Sequence, residues 1–231
     1  MKKIVVLTGA GISAESGLKT FRDAGGLWEN HDIMEVASID GWHKNPELVL
    51  QFYNERRKQA YSTMPNEGHK ALADLEKDFD VTIITQNVDN LHEKAGSTKV
   101  IHLHGELSKV RSTGDAKLIY EYADKPIHWG DTCEKGHQLR PHIVWFGEAV
   151  PMMQVAATIT EKADIFLVVG TSLVVYPAAS LIDFVPTNAP KYIIDPHKPT
   201  VSKQNNHLFF IEEKATTGVP KVAKELREKY K

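Results

Sequence analysis

Residues Lys3 to Leu7 form a short β-branched run that opens directly into Thr8-Gly9-Ala10-Gly11-Ile12-Ser13-Ala14, a G-x-G-x-x-A pattern. A strand, a glycine turn and a helix start in that order commit a chain to few folds. The glycines permit a tight turn and close approach of a pyrophosphate, and the helix N-terminus offers unpaired amides and a positive dipole end. Further along, apolar runs recur at Val81 to Ile84, Val100 to Leu103, Ile143 to Phe146, Ile165 to Val169, Lys191 to Ile194 and Leu208 to Ile211. Helical patterns separate them at Pro46 to Tyr61, Asn66 to Lys77, Met152 to Lys162, Tyr176 to Val185 and Val219 to Tyr230. Strands alternating with helices predict an α/β fold, a doubly wound parallel Rossmann-like sheet with a small second module formed by insertions. The whole chain reads as one domain. Its core covers residues 1–20, 66–108 and 141–231, and the insertions are 21–65 and 109–140.

A dinucleotide fold places a second strand about 20 residues after the glycines, ending in an acid for the ribose. Residues 18–44 instead carry turn residues and aromatics without alternation, so they read as a loop followed by short helical structure. Phe21-Arg22-Asp23 is then a candidate lid, an aromatic to shield a reactive centre and an arginine to reach a phosphate. A satellite apolar cluster explains the same residues equally well. The helix at Pro46 to Tyr61 has an apolar stripe of Val49, Phe52, Tyr53, Arg56 and Ala60, with Arg56 where an apolar residue belongs. A guanidinium there calls for a carboxylate, with Tyr53 three residues earlier as a second donor, unless Arg56 snorkels or pairs with a local acid.

Between two of the apolar runs lies Thr85 to Leu107, TQNVDNLHEKAGSTKVIHLHGEL, rich in amide, acid and imidazole groups. Thr85, Gln86 and Asn87 fall where a buried strand ends and opens into a crevice. In a continuous strand His102 and His104 share one face. Asn87, Asp89 and His104 are the first candidates for chemistry, while packing is the expectation for His102. Gly170-Thr171-Ser172 forms another strand-end turn with amide and hydroxyl donors, and Asp195 closes a later strand where an acid can serve ribose hydroxyls.

Charge narrows the partners. With 28 basic and 30 acidic side chains in 231 residues, the formal net charge is -2, so neither nucleic acid nor an anionic membrane is the expected partner. No apolar run approaches the roughly 20 residues of a membrane span, and the opening run reads as a strand. A cytoplasmic location and a monomer are the expectations. One cysteine, Cys133, precludes an internal disulfide. Residues Lys109 to Arg140 are polar and turn-rich, the kind of segment a metal staples, yet Cys133, His137 and nearby His128 fall short of a zinc ligand set. Two further readings stay open on residue types alone. One is a metal hydrolase built on His102, His104 and His92 or Asp89; the other is a binding module in which His104 is a buried, hydrogen-bonded histidine.

Six segments in order resemble the sirtuins, NAD-dependent protein lysine deacylases: Gly9 to Ser13 with Glu15-Ser16-Gly17, Phe21-Arg22-Asp23, Thr85 to Asp89, His104-Gly105-Glu106, Phe146-Gly147-Glu148 and Gly170-Thr171-Ser172. Tyr53 and Arg56 resemble the pair found in the class III group, whose acyl pocket prefers acidic chains. The resemblance implies that NAD is consumed as co-substrate to remove succinyl, malonyl or acetyl groups from lysine, giving nicotinamide, 2'-O-acyl-ADP-ribose and free lysine. ADP-ribosyl transfer is the nearest alternative. It assigns His104, Asn87 and Asp89 to catalysis. NAD falls to Gly9, Ala10, Gly11, Ser13, Phe21, Arg22, Gln86, Asn87, Asp89, Gly170, Thr171, Ser172, Asp195 and Ala215. The acyl-lysine substrate falls to Tyr53, Arg56, Val144, Phe146, Gly147, Glu148, Val175 and Tyr176, with Val144 to Glu148 and Val174 to Tyr176 pairing with it as an added strand. Family members usually carry four zinc cysteines; Cys133 alone remains, with Ser112 and Gly136 near two of the expected places, so zinc is not expected. Asp195 stands where many members have asparagine, which implies NAD over NADP.

Overall fold

The computed structural model describes residues 1–19, 27–28, 31–199 and 207–231. In chain order the elements are β1 (Lys3–Thr8), α1 (Ala10–Ala14), β2 (Leu27–Trp28), β3 (His31–Asp32), α2 (Ile33–Val36), α3 (Ile39–Lys44), α4 (Pro46–Ser62), α5 (Glu67–Leu75), β4 (Asp80–Thr85), α6 (Leu91–Ala95) and β5 (Val100–His102). There follow β6 (Gly105–Ser112), β7 (Ile119–Glu121), β8 (Leu139–Ile143), α7 (Met153–Thr160), β9 (Ile165–Val169), a 3-10 helix (Ala178–Phe184), β10 (Lys191–Ile194), β11 (Leu208–Ile211) and α8 (Ala215–Tyr230).

Six strands form one parallel sheet in the order β11-β10-β9-β1-β4-β5. Numbered along the chain, that is the doubly wound order 3-2-1-4-5-6 read from one edge, with its reversal between β1 and β9. The strands are buried on both faces, as Ile4 to Leu7, Ile165 to Val169 and Lys191 to Ile194 demonstrate. One face packs Ile4, Val6, Ile83 and Leu167 against Leu72 and Leu75 of α5 and Val222 and Leu226 of α8. The other packs Val5, Leu7, Phe166 and Val168 against Ala156 of α7 and Leu181 and Ile182 of the 3-10 helix. Arg227 clasps α8 to α5, reaching Asp74 and Asp78 at 2.7 Å each.

Helix boundaries follow local chemistry. Asn66 caps α5 by accepting from the Gly68 and His69 amides, and Pro46 occupies the first turn of α4, where its missing N–H costs nothing. Two expectations need correction. The run at Ile143 to Phe146 is not a strand: β8 ends at Ile143, because Glu148 draws in the Trp145 amide and Phe146 bridges to Ser38. The segment from Tyr176 to Val185 coils as a 3-10 helix that starts only after Pro177.

A second sheet, β7-β6-β8, is antiparallel. Its Leu107, Val110 and Leu139 share a core with Trp42 of α3 and Val49, Phe52 and Tyr53 of α4. Arg57 joins the two, its Nε donating to the Leu107 carbonyl at 2.6 Å and one terminal nitrogen to Asn54 and the Lys125 carbonyl at 3.1 Å. Burial lowers its guanidinium pKa to about 10, against the opposing Tyr122. Cys133 is buried here and its thiol donates to Ser112 at 3.3 Å. Among the described residues no three His, Cys, Asp or Glu side chains stand together as metal ligands, and no helix is long and apolar enough to cross a membrane.

Leu226 is fully buried between α8 and the sheet. Leu226→Ala is expected to cost about 2–5 kcal/mol. Urea unfolding checks this as a lower midpoint at unchanged slope.

Candidate active site

At the carboxyl ends of β1 and β9 two backbone turns approach closely. The Gly9 amide donates to the Val169 carbonyl at 3.0 Å and the Gly11 amide to the Gly170 carbonyl at 2.9 Å. A Cβ on Gly11 would lie 2.7 Å from the Gly170 Cα, and one on Gly9 2.6 Å from the Thr171 Cβ. Glycine is therefore required because two backbones touch at the sheet's switch point, where open α/β folds place ligands.

The exit of β4 is tied to both turns. Asn87 Nδ2 donates to the Gly9 carbonyl at 3.1 Å and to Ser13 Oγ at 3.0 Å, and Gln86 Nε2 donates to Thr171 Oγ1 at 3.2 Å. Asp89 Oδ1 accepts the Leu91 amide at 3.1 Å. Burial raises the Asp89 carboxyl pKa, against that amide, the Ser13 hydroxyl and the His102 charge. Behind this cluster, Thr8 Oγ1 donates to Thr85 Oγ1 at 2.8 Å and meets His92 Nε2 at 3.0 Å. The His92 ring lies edge-on to His69 at 4.9 Å. Burial lowers both pKa values, His69 to about 4, so both rings are neutral core members.

His104 Nδ1 lies 3.0 Å from the Gln86 carbonyl oxygen. A carbonyl only accepts, so Nδ1 carries the proton and Nε2 keeps its lone pair. Burial lowers the His104 pKa, with the Gln86 carbonyl opposing, and the ring is neutral near pH 7. His102 takes the next carbonyl, that of Asn87, at 3.0 Å. The shared strand face expected for the two rings does not form: β5 ends at His102, and Gly105 turns the chain at φ 86°. Three histidines therefore face three different partners rather than one metal position.

Tyr53 and Arg56 are both buried on α4. Arg56 donates to Gln59 Oε1 at 3.4 Å and to the Lys19 carbonyl at 3.5 Å. Burial raises the Tyr53 hydroxyl far above its usual range, against the Trp145 indole and the Arg140 and Arg56 charges, so it stays a donor. Glu148 is held inside the chain. Arg140 donates to both its oxygens at 2.7 and 2.9 Å, Arg111 at 3.1 Å and the Trp145 amide at 2.9 Å. The Arg140 guanidinium lies over the Trp145 ring at 3.4 Å. The Val144 and Phe146 amides donate to the His104 and Ala37 carbonyls at 2.9 Å each, so those two amides are not available to an added strand. Phe146, Val174 and Tyr176 expose their side chains, at 41%, 69% and 72%, while Val175 is half-buried and Gly147 turns at φ 90°.

Asp195, at the end of β10, is buried and accepts the His197 amide at 2.9 Å. Ala215 opens α8, where Glu15 accepts from the amide and hydroxyl of Thr216. Ser172 lies beside Thr171, half-buried. Phe21 and Arg22 fall outside the described residues. The donor set at the switch point, two amides, hydroxyls and an acid around glycine turns, fits the amide and ribose hydroxyls of a dinucleotide. Sequence reasoning missed Arg57, the Arg140–Glu148–Arg111 cluster and the His69–His92 pair. The only hint was adjacency, as in Arg56-Arg57, which no single helical stripe explains.

Gly105 positions His104. A Cβ there would lie 2.0 Å from the His142 carbonyl oxygen. Gly105→Ala is expected to cost more than about 1 kcal/mol. A lower thermal midpoint and loss of the hydrogen-bonded His104 ring-proton resonance check it.

The Sir2 family model matches residues 9–177. The chain is 58% identical over 208 residues to an NAD-dependent protein deacylase of Helicobacter pylori (strain ATCC 700392 / 26695), covering 90% of this chain and 88% of the relative. It is 53% identical over 224 residues to an NAD-dependent protein deacylase of Bacteroides thetaiotaomicron, covering 95% of each. Among solved structures, a Sir2 homolog–NAD complex superposes with a TM-score of 0.88 at 39% identity, covering 98% of this chain and 90% of the other. The turns that meet between β1 and β9, the bound exit of β4 and the oriented histidine thus sit in a chain that belongs to the Sir2 family.

Proposed function

We propose that the protein removes acyl groups from lysine side chains of other proteins with NAD as co-substrate, and that Tyr53 and Arg56 bias its pocket toward succinyl and malonyl chains over acetyl. The observation that carries the reading is His104: one nitrogen is committed to the Gln86 carbonyl, and the other, a base with no partner among the described residues, belongs to the segment held at the glycine-lined switch point.

When bound, NAD would supply an electrophilic ribose carbon able to take the acyl oxygen of the lysine substrate as nicotinamide departs; with one water consumed, the acyl group would end on ADP-ribose and lysine would leave as a free amine. The chain's own residues do the rest. Gly9, Ala10, Gly11 and Ser13 form the turn on which the pyrophosphate rests, and Gly170, Thr171 and Ser172 face it from β9. Asn87 and Asp89 hold the nicotinamide and its ribose, fixed in turn by Gly9, Ser13 and Leu91. Asp195 takes ribose hydroxyls at the adenosine end, and Ala215 borders that end. His104 Nε2 takes a proton from a ribose hydroxyl, which then reacts with the acyl carbon; its lowered pKa keeps it unprotonated at neutral pH.

Acyl choice follows from α4. Tyr53 and Arg56 lie one turn apart on a buried face, where a guanidinium and a hydroxyl that stays protonated make a paired donor for a terminal carboxylate. The substrate peptide lies along Phe146, Val174, Val175 and Tyr176, an apolar edge of which Val174 and Tyr176 are the most exposed, at 69% and 72%. The Val144 to Glu148 segment borders that groove, braced by the arginines on Glu148.

His104→Ala is expected to lower acyl removal by about 100- to 10,000-fold, the usual worth of a general base, while NAD binding by calorimetry changes little. Turnover near that of the parent removes His104 as the base. Arg56→Met is expected to reduce desuccinylation by roughly 10- to 100-fold, the loss of a charged hydrogen bond, and deacetylation far less. Equal losses on both peptides make Arg56 a structural residue. Weighing products formed from NAD and succinyl-, malonyl- or acetyl-lysine peptides reads both and separates acyl removal from ADP-ribosyl transfer.

A further inference from the structure

His102 is the imidazole for which the reaction has no use, and its surroundings are unlike those of His104. It closes β5 in register with Thr85, and its side chain is 7% exposed. Nδ1 lies 3.0 Å from the Asn87 carbonyl oxygen, and Nε2 lies 2.8 Å from Glu93 Oε1 on α6. Both partners are pure acceptors at neutral pH. A neutral imidazole has one N–H, so it would satisfy one of them and turn a bare lone pair on the other. Two N–H groups satisfy both.

We propose that His102 is held as an imidazolium by Glu93 and, through the Asn87 carbonyl, fixes the Asn87 to Asp89 segment for NAD, making it a positioning residue for the cleavage of the nicotinamide bond. This rests on the assignment of Asn87 and Asp89 to the nicotinamide ribose. The other groups around the ring agree with a charge there. Burial pulls the His102 pKa down, but the Glu93 hydrogen bond and charge, Glu106 on β6 and the Asn87 carbonyl outweigh it, and the net shift is upward. Glu93 responds in kind. Burial raises its carboxyl, and His102, with Lys109 of β6 adding to it, brings the net shift down. Lys109 is itself bound to Glu106 at 2.8 Å. His92, the imidazole on α6, is neutral and feels the His102 charge. Asp89 is pushed toward protonation by burial, and the His102 charge opposes this.

The two histidines at the end of β5 thus differ in what they face. Among the described residues His104 has one acceptor, with a lowered pKa, whereas His102 has an acceptor at each nitrogen and a raised pKa. The sign for pH follows. His102 is charged below its raised pKa, and as pH climbs through that value it loses one of its two hydrogen bonds and its hold on the Asn87 segment.

The test uses the full chain. Nitrogen NMR shifts of the His102 ring, assigned by their loss in His102→Gln, are expected to show both nitrogens protonated near neutral pH, with His104 singly protonated as the internal contrast. Initial rates at saturating acyl-lysine peptide are expected to show kcat/KM for NAD falling on the alkaline side. In Glu93→Gln that fall moves to lower pH by about 1 to 3 units, the range commanded by an adjacent opposite charge. In His102→Gln it disappears, with kcat/KM for NAD lowered by up to about 100-fold and KM for peptide little changed. A merely structural histidine would lower activity without moving the pH profile. A neutral His102 ring near pH 7, or an alkaline fall that stays in place in Glu93→Gln, overturns the inference. If the parent chain shows no NAD-dependent acyl removal, the functional reading fails, and the ring shifts still decide the charge.

Discussion

The site depends on a backbone contact, the meeting of the turns that follow β1 and β9. With 2.7 Å between a Cβ on Gly11 and the Gly170 Cα, no side chain can be inserted there. The consequence reaches beyond the turns. Because the strand order reverses at this place, the two turns diverge into helices on opposite faces and leave a crevice between them. Asn87 and Gln86 reach one turn each from β4, so the crevice floor is set by hydrogen bonds among three strand ends rather than by one loop.

On that floor the polypeptide uses consecutive carbonyl groups to give two imidazoles opposite character. Gln86 presents its oxygen to His104 and Asn87 presents its oxygen to His102. What differs is the second nitrogen. Glu93 occupies it in His102, and no described residue occupies it in His104. Burial lowers one pKa, and a carboxylate overcomes burial to raise the other, although the residues are two apart in sequence. His69 and His92 are neutral, because burial outweighs what opposes it, the Glu93 charge at His69 included.

The second sheet shows how charge is used away from the crevice. Arg57, Arg140 and Glu148 are placed by main-chain acceptors and by each other, and the Arg140 guanidinium covers Trp145. Trp145 packs at 6.0 Å from Tyr53, so the Tyr53 face of α4 and the segment carrying Phe146 are joined through one indole.

Much of this was legible in residue order. The β-branched runs, the glycine pattern after β1 and the alternation of strands with helices determined the parallel sheet, because apolar period and turn chemistry are local properties. The stripe on α4 likewise revealed Arg56 as out of place. Other matters were decided only by tertiary structure. Glu148 is expected at the substrate, and only the fold shows Arg111 and Arg140 holding its carboxylate. Val144 to Phe146 looked like a strand, and Ala37, His104 and Glu148 take up its amides. His102 looked like packing beside His104, and only the approach of Glu93 from α6 distinguishes them. Composition and period report which side chains want burial; they do not report which acceptor waits at the other end. Protonation depends on that acceptor, so the sequence alone placed the histidines at the strand end and the fold chose their charge.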